Sequence, residues 1–563
     1  MNKKLFLTCA LGSVLVLTTS CNKKLGEFQQ DYFSTNPNPL ELVGEKVPAT
    51  VTAKVPAKFF VKNATVTVTP MLVYANTETP SQAYTFQGEN VRGNAPTVSY
   101  EYGGTYNIPV SFNYVPAMDN SKLYLDFAVT QGNKTYALPR VQVATGVLST
   151  AYFADVTTVT PATAMNGFQK SIDEKYSADI MFLINQAVIR ANQLDTDAMV
   201  ELKNAIASAA VDSGRQITEI NINSYASPDG PYAFNQQLAK HREDNTVDYI
   251  NGQLKKDNVT EFGELTANFT AEDWEGFKEL VTKSNIQDKE LILGILEMYK
   301  DPEVRDAEIR NLGNVFTELA ETILPQLRYS RITATINVIG KSDAEIMEIY
   351  ASNPSGLTVE EILYAATLTD DNAKRQEIYS TATRLYPNDY RTWNNLGMTQ
   401  YVNKDYNGAK ASFTKAASLN GASNEAQMNL GLIELLNGNY SGANKYFGSA
   451  AGTENLGEAM GVYYLKQGDN AAAERAFGDT KSNNAALAQI LNKNYSKAKT
   501  TLAGINQPDA TTYYLMAVLG ARTNNESMIN TNLKQAIKLD SSLAQKAQND
   551  LEFANYNLSR ALN

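Results

Sequence analysis

Cysteine and histidine are almost missing. The 563 residues contain two cysteines, Cys9 and Cys21, and one histidine, His241. With Cys9 inside the N-terminal apolar run, no disulfide framework can be built, and no His/Cys cluster exists for a zinc site. A nucleophile and histidine pair would have to run through His241, which stands beside Arg242 on a helical pattern where a surface position or a contact beside a ligand is the better reading. Carboxylates are abundant, yet no cleft-forming fold for a two-carboxylate glycosidase is visible. The expectation is a protein that is not an enzyme and uses no metal and no cofactor. Basic blocks are missing too. The formal net charge is -11, from 49 Lys and Arg against 60 Asp and Glu, which excludes nucleic acid as the expected partner. Beyond the N-terminus, no stretch reaches the roughly 18 apolar residues of a membrane helix.

What is present begins with Met1-Asn2-Lys3-Lys4, an apolar run from Leu5 to Leu17, and Thr18-Thr19-Ser20-Cys21. Basic, apolar and small-residue segments in that order describe a signal peptide over 1-20. The small residues ending at a cysteine resemble the bacterial lipobox, although Thr18 stands where leucine is usual. That resemblance implies lipidation of Cys21 as the mature N-terminus and a lipoprotein anchored by lipid alone. Two lysines fewer make the mature charge -13. No acidic cluster follows Cys21, so the periplasmic face of the cell outer membrane is expected. Residues 21-44, with Asn36-Pro37-Asn38-Pro39, read as a tether.

Over 45-145 the period is two. Tyr106, Ile108, Val110, Phe112 and Tyr114 alternate with polar partners, as do Leu123, Leu125, Phe127 and Val129, and Gly132-Asn133 makes a hairpin turn. This predicts an all-β sandwich, an architecture that carries no function by itself. From 150 to 342 strand and helix alternate: strands at 180-184 and 217-225, helices at 197-210 and 232-254, and a closing strand around Ile332 to Val338. A helical insertion is expected over about 256-327, opened by Thr270-Ala271-Glu272-Asp273 and continued at Asp301-Pro302.

Within that stretch, Asn235-Gln236-Gln237-Leu238-Ala239-Lys240-His241-Arg242, followed by Val247-Asp248-Tyr249-Ile250, resembles the helix motif of the C-terminal OmpA-like domain, and Phe182 to Ile189 is similar to its strand signature. The resemblance implies an α/β domain facing the cell wall. It also implies a peptidoglycan clamp in which a turn aspartate takes the ammonium of diaminopimelate and the helix arginine its carboxylate. Arg242 fills the arginine position and Asn235 opens the motif. Ser227 stands at the aspartate position, and Asp229, two residues on, is the replacement carboxylate. The turn Tyr225 to Gly230, with the insertion around Trp274, looks like a lipoprotein and fimbria-associated OmpA subgroup.

Leu396-Gly397, Ala409, Phe413 and Ala416 return 34 residues later as Leu430-Gly431, Ala443, Phe447 and Ala450. Shorter copies follow at Gly461, Ala473 and Phe477, at Ala486, Ala498 and Leu502, and at Ala517, Leu533 and Ala536; Tyr379, Ala382 and Pro387 fit an upstream copy. This pattern resembles the tetratricopeptide repeat (TPR) and implies an all-α solenoid over 353-563 with a C-terminal capping helix. Asn394, Met398, Tyr401, Met428, Leu432 and Leu435 are the expected lining of its groove, a surface suited to a peptide or helix of a protein partner. The chain as a whole reads as multidomain and as a cell-envelope scaffold that joins the outer membrane, peptidoglycan and a protein partner. The alternatives are a structural subunit of a fimbrial, secretion or outer-membrane assembly without peptidoglycan binding, and a surface hydrolase or glycan binder.

Overall fold

The structure, a computed structural model, describes residues 24-562. The expected signal peptide over 1-20 and the expected lipidation site, Cys21, lie outside the described residues. The described residues divide into two compact units, one of residues 24-165 with 371-562 and the other of residues 166-370.

The first unit starts with β-structure. Gly104–Asn113 pairs antiparallel with Lys46–Val55, which also carries Phe33–Asn36. A six-stranded sheet has Lys122–Gln131 and Ala64–Tyr74 at its centre. Ile108, Val110 and Phe112 from the first sheet and Leu123, Leu125, Phe127 and Val129 from the second are buried in one core. The period-two pattern is therefore the core pattern, because alternate side chains of a strand face the same side. Gly132, at φ +61°, and Asn133 close the hairpin between Gln131 and Lys134.

The tether expected over 21-44 is corrected from Leu25 onward. Leu25, Phe28, Leu40 and Leu42 are buried in the same core, Phe28 stacks on Phe127 at 4.4 Å between ring centroids, and Leu40–Glu41 pairs parallel with Val147–Leu148. Prolines and short pieces hid this, since each piece is held by partners far along the chain and has no period of its own.

The rest of this unit is helical hairpins. Tyr390–Val402 pairs with Tyr406–Leu419, Asn424–Leu436 with Tyr440–Gly448, Leu456–Gln467 with Asn470–Phe477, Asn483–Leu491 with Tyr495–Ala503, and Ala510–Arg522 with Glu526–Leu539. Side-chain caps from Asp389, Asp405, Ser423 and Asn439 start four successive helices, and Asp469 caps Asn470–Phe477. A methyl group on Gly397, Gly431 or Gly461 would lie 2.6, 2.5 and 2.5 Å from the rings of Phe413, Phe447 and Phe477. Glycine is thus what lets the two helices of each hairpin close on the phenylalanine. The C-terminal region is a helical solenoid that resembles TPR solenoids. It opens with Asn372–Leu385, not at 353.

The second unit is an α/β layer. Its sheet runs Ser171–Met181, Tyr329–Ile339, Arg215–Tyr225, Glu264–Thr270, antiparallel except for the last pair. Helices Asp197–Val211 and Tyr232–Lys256 bury Met199, Leu202, Ile206, Ile250 and Leu254 against Ile180, Ile220, Ile222, Ile332 and Ile336. The expected helical insertion over 256-327 is corrected at its start, where Glu264–Thr270 is a strand of the sheet. Four helices between Trp274 and Thr322 then build their own core around Phe277, Val281, Ile292 and Leu319. The unit continues through Asp343–Ser352 and Val359–Ala365, which the Lys341–Glu361 ion pair and the stacking of Phe168 on Tyr364 tie to it. At its other end, residues 150-165 belong to the first unit.

Candidate functional site

The turn after Arg215–Tyr225 brings Ser227, Asp229, Asn235 and Arg242 together, although not as an open clamp. Arg242 is fully buried. Its Nε donates to the Gln186 carbonyl at 3.0 Å, Nη1 to Tyr225 O at 2.7 Å and Nη2 to Leu183 O at 3.3 Å, while its guanidinium lies over the Phe182 ring. Burial, with Arg328 nearby, pushes its pKa down to about 10. The side chain is thus a brace between the turn and the 182-187 loop.

The carboxylate that faces the turn belongs to Asp229, and its partner is Arg328, a residue the sequence reading did not single out. Arg328 Nη2 donates to Asp229 Oδ2 at 2.7 Å and Nε to Ser227 Oγ at 3.1 Å, while the Ser227 hydroxyl donates to Asp229 Oδ1 at 2.8 Å. Asn235 Nδ2 is shared among Ser227 O, Gly230 O and Glu272 Oε1. Glu272 and Asp273 are buried here and their pKa values are raised by that burial, with Trp274 Nε1 donating to Glu272 and the Tyr329 hydroxyl to Asp273. His241 is exposed. The expectation that Arg242 and Asp229 stand open to a zwitterion is therefore corrected: main-chain carbonyls occupy one and an internal cation the other. Arg328 sits 86 residues beyond Arg242, at the end of the helical insertion, where no motif marks it.

The expected groove lining is also brought together, and it is occupied. Asn394, Met398, Tyr401, Met428, Leu432 and Leu435 are all buried on the solenoid, and residues 150-164 of the same chain run across them. Asn429 accepts the Ala162 N–H on Oδ1 at 2.7 Å and donates Nδ2 to Ala162 O at 2.8 Å. Asn395 does the same to Ala164 at 2.8 and 2.9 Å, and Asn484 to Asp155 at 2.9 and 2.8 Å. Asn394 adds a bond to Ala162 O, and the Tyr401 hydroxyl donates to Val156 O. Val156, Val159 and Ala162 pack into the cluster that contains Tyr401, Met428, Leu432, Leu435 and Val462. At the far end, Thr150 donates to Glu552, which is ion-paired with Arg522, and Phe153 meets the Tyr514 ring.

Sequence reading missed Asn395, Asn429 and Asn484, yet a signal was there. Each stands two residues before the small residue of its repeat, Gly397, Gly431 or Ala486, so the three project from equivalent points of the first, second and fourth hairpins; the third has Ala459 there. A carboxamide offers one donor edge and one acceptor edge, and so can satisfy both main-chain groups of a single residue. Among the described residues, no group of three or more His, Cys, Asp and Glu side chains is placed to hold a metal ion, and no helix is long and apolar enough to cross a membrane.

No protein-family model matches the chain, and no curated protein matches it. Among solved structures, it is similar to a tetratricopeptide repeat protein from Parabacteroides merdae, with 12% identity over 39% of this chain and 91% of that one at a TM-score of 0.30. PilF from Pseudomonas aeruginosa gives 14% identity over 38% and 98% at 0.29, and YrrB, a TPR protein with an unusual peptide-binding site, 17% over 37% and 99% at 0.20. At these scores the likeness goes no further than helical-repeat character, which the period and the glycine–phenylalanine packing of this chain already carry.

Proposed function

We propose that this chain is a lipid-anchored, non-catalytic scaffold of a bacterial cell envelope, held at the periplasmic face of the outer membrane by Cys21. In this reading it is a structural subunit of a fimbrial, secretion or outer-membrane assembly and works through protein contacts. The observation that carries it is the way side chains are spent. The groove is equipped to hold polypeptide main chain. The groups that would hold the wall's zwitterionic peptide, Arg242 and Asp229, are already paired inside the protein. An OmpA-like ancestry of the 166-370 unit then accounts for the helix motif without a retained peptidoglycan ligand.

Two measurements test this. Wild-type protein sedimented with purified cell-wall sacculi is expected to stay in the supernatant. Pelleting that Arg242→Ala abolishes in a protein of unchanged near-UV dichroism would restore the wall-binding reading. In cells, photo-reactive residues placed at the exposed positions Val188, Met298, Val402 and Leu539 are expected to give adducts with other envelope proteins. Their absence from every position would sink the scaffold reading. Cys21→Ala is expected to move the protein from the membrane to the soluble fraction.

A further inference from the structure

The grip on residues 155-164 reads almost no side chains. Of the hydrogen bonds that hold it, only one goes to a side chain of the segment, from Asn484 Nδ2 to Thr158 Oγ1; the others take main-chain N–H and C=O. Such a grip fixes the course of the backbone whatever the sequence, here a 3-10 turn over Val156–Thr158 followed by a stretch without regular secondary structure to Ala164. Selectivity comes from space. Ala162 and Ala164 are each 1% exposed and Val159 is 1% exposed, so their side chains are enclosed by the groove, whereas Thr157, Thr158, Thr160 and Thr163 are exposed. The segment carries one charge between Phe153 and Met165, at Asp155, and it lies against an apolar lining.

We infer that the face of the repeats lined by Asn395, Asn429 and Asn484 is a peptide-binding groove that this chain keeps filled with its own residues 155-164, and that the groove accepts in trans a largely uncharged peptide with alanine-sized residues two apart and a β-branched residue three before the first of them. This rests on the reading of the protein as a scaffold working by protein contacts, and names the ligand class of that contact. The segment acts as a competitor carried in cis. Being tethered, it faces the groove at an effective concentration on the order of millimolar, so a free ligand of equal intrinsic strength is kept out until the segment is released. The apparent affinity for a free peptide is the intrinsic one reduced by the fraction of molecules with an open groove.

The probe is a fluorescent synthetic peptide of residues 153–166. In the full-length chain, A162R/A164R puts two arginines where the groove encloses methyl groups and leaves every groove residue intact. This opened chain is expected to bind the peptide at least about 10-fold more tightly than wild type. The same peptide carrying both arginines is expected not to bind, and adding N395A/N429A to the opened chain is expected to weaken binding by about 10-fold or more. Should A162R/A164R fail to fold, wild-type protein answers the question: millimolar peptide is expected to accelerate deuterium uptake at residues 155-164 in the chain. No binding by a folded opened chain, or no change in uptake in wild type at millimolar peptide, overturns the inference. Loss of peptide binding with envelope adducts intact strikes only this ligand assignment. Peptide binding without adducts strikes the scaffold reading instead.

Discussion

In the repeats, Asn395, Asn429 and Asn484 hold main chain with carboxamides; in the 166-370 unit, Arg242 holds main-chain carbonyls with a guanidinium. Both sets of side chains project from helices and both are buried, but the electrostatics differ. A carboxamide satisfies an N–H and a C=O together and brings no charge into the interior. A guanidinium only donates, so it suits carbonyls and carries an uncompensated charge with it. The cost is visible in the lowered pKa of Arg242 and in the need for Asp229 beside the second arginine, Arg328. The neutral grip can be repeated along a groove and can let its ligand go. The charged one is an integral part of its unit, because undoing it strands a buried ion.

The chain has two tryptophans, Trp393 in the repeats and Trp274 in the other unit. Each replaced by phenylalanine in turn leaves the other as a fluorescence probe of its own unit, so the comparison can be broken on either side. The largest effect belongs to Arg328→Leu, which leaves Asp229, with its side chain only 13% exposed, without its cation. We expect a loss of about 3-5 kcal/mol in urea unfolding followed by Trp274, with Trp393 unmoved, and substantial recovery in R328L/D229L. A loss under about 1 kcal/mol would mean that water reaches Asp229 freely.

Asn429→Asp tests the neutral side by charging it. The carboxylate can still accept the Ala162 N–H, but it now faces two acceptors, Ala162 O and Asn394 Oδ1, to which Asn429 donates. The expected loss is about 2-3 kcal/mol, read as faster amide exchange at Ala162 and Ala164. The sign with pH is fixed. Burial among acceptors raises the pKa of the new carboxyl, the protonated form regains an O–H donor, and the defect shrinks on acidification. A defect that does not respond to pH would place the loss in shape and not in charge.

These contacts also show why parts of the molecule could be read from its sequence and parts could not. Gly397 with Phe413 and Gly431 with Phe447 meet inside one hairpin, 16 residues apart, so the same spacing recurs and announces the fold. The helix motif placed Asn235 and Arg242 beside the turn for the same local reason. It could not say which way the guanidinium points, because that depends on the carbonyls of Leu183 and Gln186 and on Arg328, which approach from other parts of the chain. Residues 150-164 were harder. Their partners Asn395, Asn429 and Asn484 lie more than 230 residues away, and a run of valine, threonine, proline and alanine without a period reads as connection. Strand Glu264–Thr270 was absorbed into the helical insertion because its partner, Arg215–Tyr225, lies across the intervening helix Tyr232–Lys256.

The smallest effect sharpens the electrostatic half of the comparison. Glu272, beside Asn235 and Trp274, is a buried carboxyl whose pKa burial raises above the ordinary value. The folded state therefore holds a proton on Glu272 more tightly than the unfolded chain does. Between the unfolded and folded pKa values folding takes up a proton, so this contribution to stability is largest below the unfolded pKa and is lost as pH rises through the folded one. Acidifying from neutral towards that window should thus stabilise the 166-370 unit. In Glu272→Gln the dependence should flatten without vanishing, since Asp273 and Asp306 are shifted in the same direction. Geometry limits the cost of the replacement: the Gln oxygen can keep the bond from Trp274 Nε1 at 3.0 Å, while the Gln NH2 cannot accept from Asn235 Nδ2, whose lost 3.4 Å bond to Glu272 is the longest of the three it makes. Stability at neutral pH should stay within about 1 kcal/mol of wild type, measured by thermal unfolding followed at Trp274. A Gln variant with an unchanged pH slope would show that Glu272 keeps its solvation, and the 166-370 unit would then store less charge in its interior than the pairing of Arg328 with Asp229 implies.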